Sequence, residues 1–191
     1  MNELKEIINS YYTISEQAFQ EIEKLASFVH LPKKTIVFEP NKYEDKFYFI
    51  AKGSARVYVI DENGNEISYI LFFEKDYLIS FEGYLNKKHS YEFIELLEDC
   101  ILYEFQTEEL KNLYQLNNEV ANLGRVLAEK FAYDTEQRFI DRLSLSATSR
   151  YLKLIENNPE ILQRIPLKYI ASYLGITQVS LSRIRAKIYH R

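Results

Sequence analysis

The spacing of apolar residues changes twice along the chain, and this change limits the folds that the chain can adopt. Residues 31–105 contain short apolar or alternating runs rich in Tyr, Phe, Ile and Val, which are typical of β-strands. Residues 2–29 and the chain from Thr107 onward instead repeat apolar residues every three or four positions, as helices do. Strands grouped between helical segments predict an α+β fold, whose strands form an antiparallel sandwich, jelly roll or barrel.

Two local signals mark boundaries within this pattern. The pair Asn63-Gly64 lies between two strand-like runs and predicts a hairpin, because both residue types accept a positive φ. Ser15 precedes the second helical stripe of the lead-in, and a serine hydroxyl can accept a backbone N–H at the start of a helix. We therefore expect two helices before the strands and a tight β-turn within them.

A seam of apolar residues with a heptad-like spacing follows the strands. Its members lie 3, 4, 3 and 4 positions apart, which is the pattern of a helix that pairs with a second helix. The seam covers only about two heptads, and a helix buried in the core of its own chain has the same spacing. We predict that it is the dimer interface of a homodimer, formed by Leu113, Leu116, Val120, Leu123 and Leu127.

Charge is distributed unevenly along the chain. Apolar residues make up 47% of the sequence and charged residues 27%, which excludes a disordered or low-complexity chain. From Ser144 onward, eight basic side chains stand against two acidic ones, a net charge of +6, while the preceding residues carry −10. An acidic body joined to a basic module indicates a polyanionic partner for that module, although a chance cluster on a solvated surface gives the same count.

The segment 167–184 has the residue pattern of a helix-turn-helix. Two helices that cross at a steep angle need a small residue where their backbones approach, and Ala171 supplies it. The turn four residues later needs a residue that tolerates a left-handed φ, and Gly175 stands there. Pro166 can open the first helix, and Thr177 can cap the second. The apolar anchors around the turn are Ile170, Leu174, Ile176, Leu181 and Ile184.

The polar side of the second helix has the chemistry of a DNA-reading surface. With the apolar anchors turned inward, the helical period exposes four residues that suit base edges, namely Gln178, Val179, Ser182 and Arg183. Three flanking residues suit phosphate contacts, namely Lys168, Thr177 and Arg185. The alternative is an ordinary helical hairpin with a glycine turn.

The order of these segments resembles the cyclic-AMP receptor protein / fumarate–nitrate regulator (Crp/Fnr) family of bacterial transcription factors. The specific points are Lys52-Gly53-Ser54-Ala55-Arg56-Val57 with the hairpin that follows, and the segment from Leu174 to Ile184. The resemblance implies a cyclic-nucleotide-binding-type jelly roll with a helical lead-in (1–106), a long dimerisation helix (107–142) and a winged helix-turn-helix that binds DNA (143–191). It also implies a homodimer on a near-palindromic site of double-stranded DNA, in contact with RNA polymerase.

The ligand site departs from the pattern of this family. Cyclic-nucleotide binders carry a Phe-Gly-Glu cassette and, about ten residues later, an Arg followed by Ser or Thr. Here the cassette reads Leu78-Ile79-Ser80, and Ser90-Tyr91 stands at the Arg position. A buried phosphate without a cation would be strongly destabilised, so we expect no response to cyclic AMP. The alternative is a sensor whose jelly roll binds an effector of unknown identity, either an unfamiliar ligand or a cyclic nucleotide, and thereby switches DNA affinity.

Cofactor, metal and enzymatic roles are not expected. The single cysteine, Cys100, lies in an apolar run, and His30, His89 and His190 are too far apart in sequence for chelation. No nucleophile elbow and no phosphate-binding glycine loop occur, so we predict a protein that is not an enzyme. The first residues lack a secretory pattern, and no run approaches the roughly 18 apolar residues of a membrane span, so we expect a cytoplasmic protein without a membrane partner.

Overall fold

The computed structural model describes residues 2–189, which form eight strands and nine helices. The lead-in comprises α1 (Asn2–Tyr11) and α2 (Glu16–Leu25). The strand region comprises β1 (Ser27–Leu31), β2 (Ile36–Phe38), β3 (Lys46–Lys52), β4 (Ala55–Ile60), β5 (Glu66–Phe72), β6 (Tyr77–Ile79), α3 (Phe81–Asn86), β7 (Phe93–Leu96) and β8 (Cys100–Gln106). The remaining helices are α4 (Thr107–Leu116), α5 (Asn118–Ser144), α6 (Ala147–Asn157), α7 (Ile161–Arg164), α8 (Leu167–Tyr173) and α9 (Gln178–Tyr189).

The strands form two four-stranded antiparallel sheets that pack face to face as a jelly roll, here called the roll. The strand order is β1-β8-β3-β6 in one sheet and β2-β7-β4-β5 in the other. The core between the sheets is apolar and includes Ile50, Leu78 and Leu102 from the first sheet and Val57 and Ile94 from the second. The predicted α+β fold with an antiparallel jelly roll is confirmed.

The turn between β4 and β5 illustrates how the sequence controls a local element. The Asp61 carboxylate accepts hydrogen bonds from the backbone N–H groups of Asn63 and Asn65, and Gly64 has a φ of +81°. The Asp61 N–H also donates to the Asn65 carbonyl, so three residues rather than two form the loop. Ser15 caps α2 as expected, since its hydroxyl accepts from the Ala18 N–H.

The family resemblance implied one long helix after the roll, but the structure has two helices there. Asn117 has extended φ and ψ angles and separates α4 from α5. Its side-chain oxygen accepts from the N–H groups of Glu119 and Val120, and its amide donates to Glu21 of α2. A short polar side chain that serves two helices in this way explains the break, because it satisfies backbone groups that an interrupted helix leaves free.

The apolar seam packs inside the chain, which corrects the predicted dimer interface. Four of its five members are buried in one cluster with α1, α2 and the first sheet, namely Leu113, Val120, Leu123 and Leu127. Leu116 is 84% exposed, next to the break at Asn117. The spacing is that of a core helix. These side chains pack against the apolar surface of their own roll and lead-in, so they are not available to a second chain.

Helices α6 to α9 form a compact unit, here called the head, around a third apolar core. Its buried members include Tyr151, Ile161, Ile170 and Leu181, and Leu97 of the roll packs into the same cluster. The described residues contain no strand after Gln106, so the wing that the resemblance implied has no counterpart in the head as far as Tyr189. Within residues 2–189, no helix is both long and apolar enough to cross a membrane.

Candidate nucleic-acid interface

Helices α8 and α9 meet at a turn whose backbone demands the residues that the sequence places there. Gly175 has a φ of +67°, a conformation that is strained for residues with a Cβ. The Ile176 N–H donates to the Ala171 carbonyl at 3.0 Å, and the Gly175 N–H donates to Ser172 at 2.9 Å. These two bonds are those of a Schellman motif, which satisfies the last carbonyls of α8 and ends the helix.

The second helix begins at a side-chain cap and buries one face. The Thr177 hydroxyl accepts from the Ser180 N–H at 3.1 Å, as expected of a cap. Leu181 is buried and Ile184 is half-buried against the core of the head, while Ala171 of α8 is also buried. The helix is therefore held by its apolar side, which leaves the opposite side free.

The four residues predicted to contact bases lie together on that free side. Gln178, Val179, Ser182 and Arg183 are all exposed, and Val179 is exposed to 60% despite its apolar side chain. Residues spaced by one, three and four positions share one face of a helix, so these side chains form a contiguous polar ridge with one methyl-bearing group. An arginine, a glutamine and a valine can together address guanine, adenine and the thymine methyl group.

The three residues predicted to contact phosphates do not share one position. Lys168 and Thr177 are exposed at the beginnings of α8 and α9. The Lys168 ammonium lies 4.6 Å from the centre of the Tyr169 ring, which orients it without neutralising it. Arg185 is half-buried on the side of α9 away from Arg183, and its Nε, shielded from solvent, has no hydrogen-bond partner among residues 2–189. The structure therefore does not bring Arg185 to the polar ridge.

Ion pairs that sequence reasoning did not predict hold the head against the roll. Arg164 donates from both terminal nitrogens to Glu74, at 2.9 and 2.7 Å, and also bonds Glu98. Glu74 accepts in addition from the Gly53 N–H, and these bonds lower its pKa against the opposing effect of burial. The charge split along the sequence indicated a polyanionic partner for the basic module, whereas these carboxylates of the roll engage one of its cations within the chain.

A cleft of about 670 Å³ opens between the second sheet, α3, α5 and the head. Residues at the cassette positions do not suit a cyclic phosphate. Ser80 caps α3 by accepting from the Gly83 N–H, and Ile79 places a branched side chain where the family has glycine. The Ser90 hydroxyl donates a hydrogen bond to the Glu92 carbonyl and accepts one from the Glu92 N–H.

Near the position where cyclic-nucleotide binders carry an arginine, the acidic side chain of Glu92 faces this cleft. Glu92 accepts a hydrogen bond from the Tyr69 hydroxyl, and burial raises the pKa of its carboxyl. In its ionised form, a carboxyl group at this place repels a phosphate instead of binding it. The cleft also carries basic side chains, among them Arg138 and Arg150, and many aromatic rings.

No part of residues 2–189 shows the chemistry of a metal or thiol site. No group of three His, Cys, Asp or Glu residues converges there, and His190 lies outside the described residues. Cys100 is buried between the sheets, where burial raises the pKa of its thiol to about 11. A thiol with a raised pKa is a poor nucleophile and a poor metal ligand.

Comparisons with known proteins agree with this architecture. Residues 28–117 match the family described as cyclic nucleotide-binding domain. The chain superposes on the global regulator CLP of Xanthomonas campestris with a TM-score of 0.72 at 15% identity, covering 92% of each chain. For FixK2 of Bradyrhizobium japonicum, the TM-score is 0.73 at 16% identity, with 86% of this chain and 85% of that chain covered. A search among curated protein sequences found no match.

A third similar structure carries the family name itself. It is a transcriptional regulator of the Crp/Fnr family from Eubacterium rectale, with a TM-score of 0.72 at 18% identity, covering 92% of this chain and 85% of that one. The fold thus defines a cyclic-nucleotide-binding-type domain joined through helices to a small helical head. Residues 28–117 match the cyclic nucleotide-binding domain family, and the fold of the whole chain is similar to that of a Crp/Fnr-family regulator.

Proposed function

We propose that this protein is a DNA-binding transcription regulator that acts as a homodimer and does not catalyse a reaction. The observation that carries the proposal is the polar ridge of α9, which stands free beside a glycine turn while the apolar side of the same helix is buried. The proposed units are the lead-in and roll (1–106), the connecting helical segment (107–142) and a helix-turn-helix domain (143–191). Its proposed location is the cytoplasm, where bacterial DNA is accessible.

The proposed mechanism is insertion of one α9 helix per subunit into successive major grooves. Two half-sites one helical turn apart place the recognition helices roughly 34 Å apart on a near-palindromic site. Arg183 donates to guanine, Gln178 pairs with adenine, and Val179 contacts a thymine methyl group. Lys168 and Thr177 bind phosphates and fix the position of the head without reading sequence.

Dimerisation requires a surface other than the buried seam, and the second half of α5 offers one. Four large apolar side chains there are exposed along one side of the helix, namely Tyr133, Phe139, Ile140 and Leu143. We assign the dimer contact to this set, here called the outer apolar face. A helix that presents apolar residues at spacings of three, four and seven fits a second copy of itself related by a two-fold axis.

Cyclic AMP is not part of the proposed mechanism, because Glu92 and the cassette residues oppose a phosphate. Addition of millimolar cyclic AMP should leave both the melting temperature and DNA affinity unchanged. A gated sensor is the second candidate, and the 670 Å³ cleft between roll, α5 and head favours it. In that case protein stripped of small molecules and protein isolated under native conditions would differ in DNA affinity. Contact with RNA polymerase rests on the family resemblance.

Selection of bound sequences from random DNA, repeated at two salt concentrations, tests the proposal directly. We expect a near-palindromic consensus and a binding constant that falls steeply with salt, since each neutralised phosphate releases counterions. Recovery of no enriched sequence at low salt would contradict DNA recognition by this chain.

The first variant to examine is Arg183→Ala on the polar ridge. We expect a loss of about 1–3 kcal/mol for the selected site and a relaxed preference at one base position per half-site. Lys52→Ala is the matched control, because Lys52 is an exposed cation on the roll whose removal changes the net charge equally. If Arg183→Ala bound its best site as tightly as the control, the assignment of the ridge would be wrong.

A second variant, Lys168→Ala, separates positioning from reading. We expect weaker binding to all sequences and a salt slope reduced by about one unit, because a phosphate contact carries no base information. A change in the selected consensus would instead place Lys168 at a base edge.

A further inference from the structure

The edge of the second sheet is closed by the first helix of the head. Strand β5 is the last strand of that sheet, so its outward backbone groups have no neighbouring strand. The Ser172 hydroxyl of α8 accepts from the Ser68 N–H at 2.8 Å and donates to the Glu66 carbonyl at 3.0 Å. One hydroxyl therefore satisfies two backbone groups that an exposed edge would leave to water or to another chain.

Next to this contact, the roll holds a buried arginine. Arg56 lies in β4 between Ala55 and Val57, which point into the core of the roll, so its own side chain points to the opposite face. Its Nε donates to Glu95 at 2.7 Å, a terminal nitrogen donates to the Ser68 hydroxyl, and another pairs with Glu66. At 1% exposure, this charge is tolerable only because carboxylates and hydrogen bonds surround it.

The remaining faces of the same guanidinium are covered by two aromatic rings. Its central carbon lies 4.0 Å from the centre of the Tyr58 ring and 3.7 Å from that of Tyr169. Tyr58 belongs to the roll, whereas Tyr169 belongs to α8 of the head. A desolvated cation over an aromatic face is among the stronger contacts of this kind, so the pairing of Arg56 with Tyr169 fixes where α8 sits on the roll.

We propose that Arg56 is a positioning residue for DNA binding, acting through Tyr169 to hold α8, and with it α9, in one orientation on the roll. The set of Arg56, Ser68, Tyr169 and Ser172 is called the latch below. This inference rests on the proposed function. The closed latch leaves the polar ridge of α9 and the exposed Lys168 uncovered, so the latched orientation is one that can engage DNA.

The expected role follows from the geometry of the proposed homodimer, in which two heads bind one DNA duplex. Only Leu145 and Ser146 separate α5 from α6, yet a short link still permits rotation of a head about the end of a helix. Two heads that must enter grooves roughly 34 Å apart need a defined separation, and the latch attaches α8 itself to the roll, in addition to the ion pairs that Arg164 makes with Glu74 and Glu98. Loosening the latch should reduce the discrimination between DNA sites that differ in half-site spacing, without changing the bases that each half-site prefers.

The central experiment compares Tyr169→Leu with Tyr169→Phe in the full chain. Leucine keeps apolar packing against the head but removes the ring beside Arg56, whereas phenylalanine keeps the ring. Affinity is measured for the selected site and for sites with one base pair inserted or removed between the half-sites. For wild type and Tyr169→Phe, we expect the altered spacing to weaken binding by about tenfold or more, and for Tyr169→Leu by less than about threefold.

A second readout is independent of DNA. Because the Ser68 N–H donates to Ser172, its hydrogen exchange reports whether α8 is docked on β5. In Tyr169→Leu, Ser172 is unchanged, so faster exchange at Ser68 would show that the latch has opened. Ser172→Ala, which removes two hydrogen bonds and keeps a good helix former in α8, should lose spacing discrimination in the same way and guards against misfolding of the leucine variant.

The outcomes separate the two levels of the proposal. Spacing discrimination and Ser68 protection that both persist in Tyr169→Leu would overturn the positioning role of Arg56. Tighter binding of the leucine variant to all DNA would also overturn it, since the contact would then be inhibitory. If wild type selects no DNA sequence but Ser68 exchange rises in Tyr169→Leu, the proposed function fails while the attachment of the head through Arg56 stands.

Discussion

The two halves of helix α5 differ in which side chains face the rest of the molecule, apolar ones in the first half and mainly charged ones in the second. In the first half, Val120, Leu123 and Leu127 are buried against the lead-in and the roll, while Arg125 and Glu129 pair with each other in solvent. In the second half, the charged residues Asp134 and Arg138 line the cleft next to the body together with Phe139, while the side chains of the outer apolar face are exposed. One helix thus belongs to the core of its own chain over its first turns and leaves apolar side chains exposed over its last turns.

This difference shows that heptad spacing does not by itself mark a dimer interface in this protein. The regular leucine seam lies where the helix meets its own roll, and the residues that remain available for a partner are aromatic and aliphatic side chains with a less regular pattern. A face that has an intramolecular apolar surface within reach buries itself there first, because no association entropy opposes that contact.

The largest difference between the halves should appear on removal of a buried leucine. Leu123→Ala should lower the free energy of unfolding by about 2–5 kcal/mol, through lost burial and the cavity left behind. Leu116→Ala is the matched control from the same seam, and its exposed side chain should contribute less than about 0.5 kcal/mol. Urea denaturation of both variants measures the difference, and equal losses would place Leu123 outside the core.

The charged inner side of the second half should be visible in the pH dependence of stability. Burial raises the pKa of Asp76 to about 6, with Lys130, Asp134 and Arg138 of α5 as its charged neighbours. A carboxyl whose pKa is raised in the folded state binds its proton more tightly there than in the unfolded chain. Its favourable contribution is complete below pH 3.8 and is lost as the pH rises towards 6.

The variant Asp76→Asn tests this assignment. Asparagine keeps an oxygen that can accept the hydrogen bond from the Phe73 N–H but has no proton to lose. Relative to wild type, it should gain about 2 kcal/mol of stability between pH 4 and pH 8. A constant difference across that range, measured by thermal or urea unfolding, would show that the Asp76 carboxyl titrates normally.

The outer apolar face should control association. Leu143, exposed to 72%, becomes a buried contact in the proposed dimer, so Leu143→Glu should weaken dimerisation at least about tenfold and leave monomer stability unchanged. Leu85→Glu on α3 is a control of similar exposure. Sedimentation equilibrium distinguishes the two, and an unchanged dimer in Leu143→Glu would remove this face from the interface.

The smallest effect is expected on the outer side of the first half. Arg125 and Glu129 form an exposed ion pair, which contributes about 0.3–0.5 kcal/mol at most. Arg125→Ala should therefore change neither the unfolding free energy nor the dimerisation constant beyond that amount. A large loss of dimer would extend the interface towards the beginning of α5.

Features that depend on a few neighbouring residues were predictable. The cap at Ser15, the hairpin at Gly64 and the glycine turn at Gly175 follow from backbone preferences that the flanking residues alone express. The break at Asn117 was not predicted, because asparagine caps a helix only when the chain also has a reason to turn there. In this fold that reason is the contact of Asn117 with Glu21 of the lead-in.

Patterns of period and charge predicted an antiparallel sandwich, jelly roll or barrel between helical segments, and the family resemblance selected the jelly roll. The helical period also predicted the free polar side of α9, since the side opposite the buried apolar residues must point outward. These patterns could not identify the surface that receives each apolar stripe, and they could not reveal that Arg56, a charge in the middle of a strand, meets a tyrosine of the head. Those contacts join residues far apart in the chain, so they exist only after the chain has closed on itself and desolvated the groups between its layers.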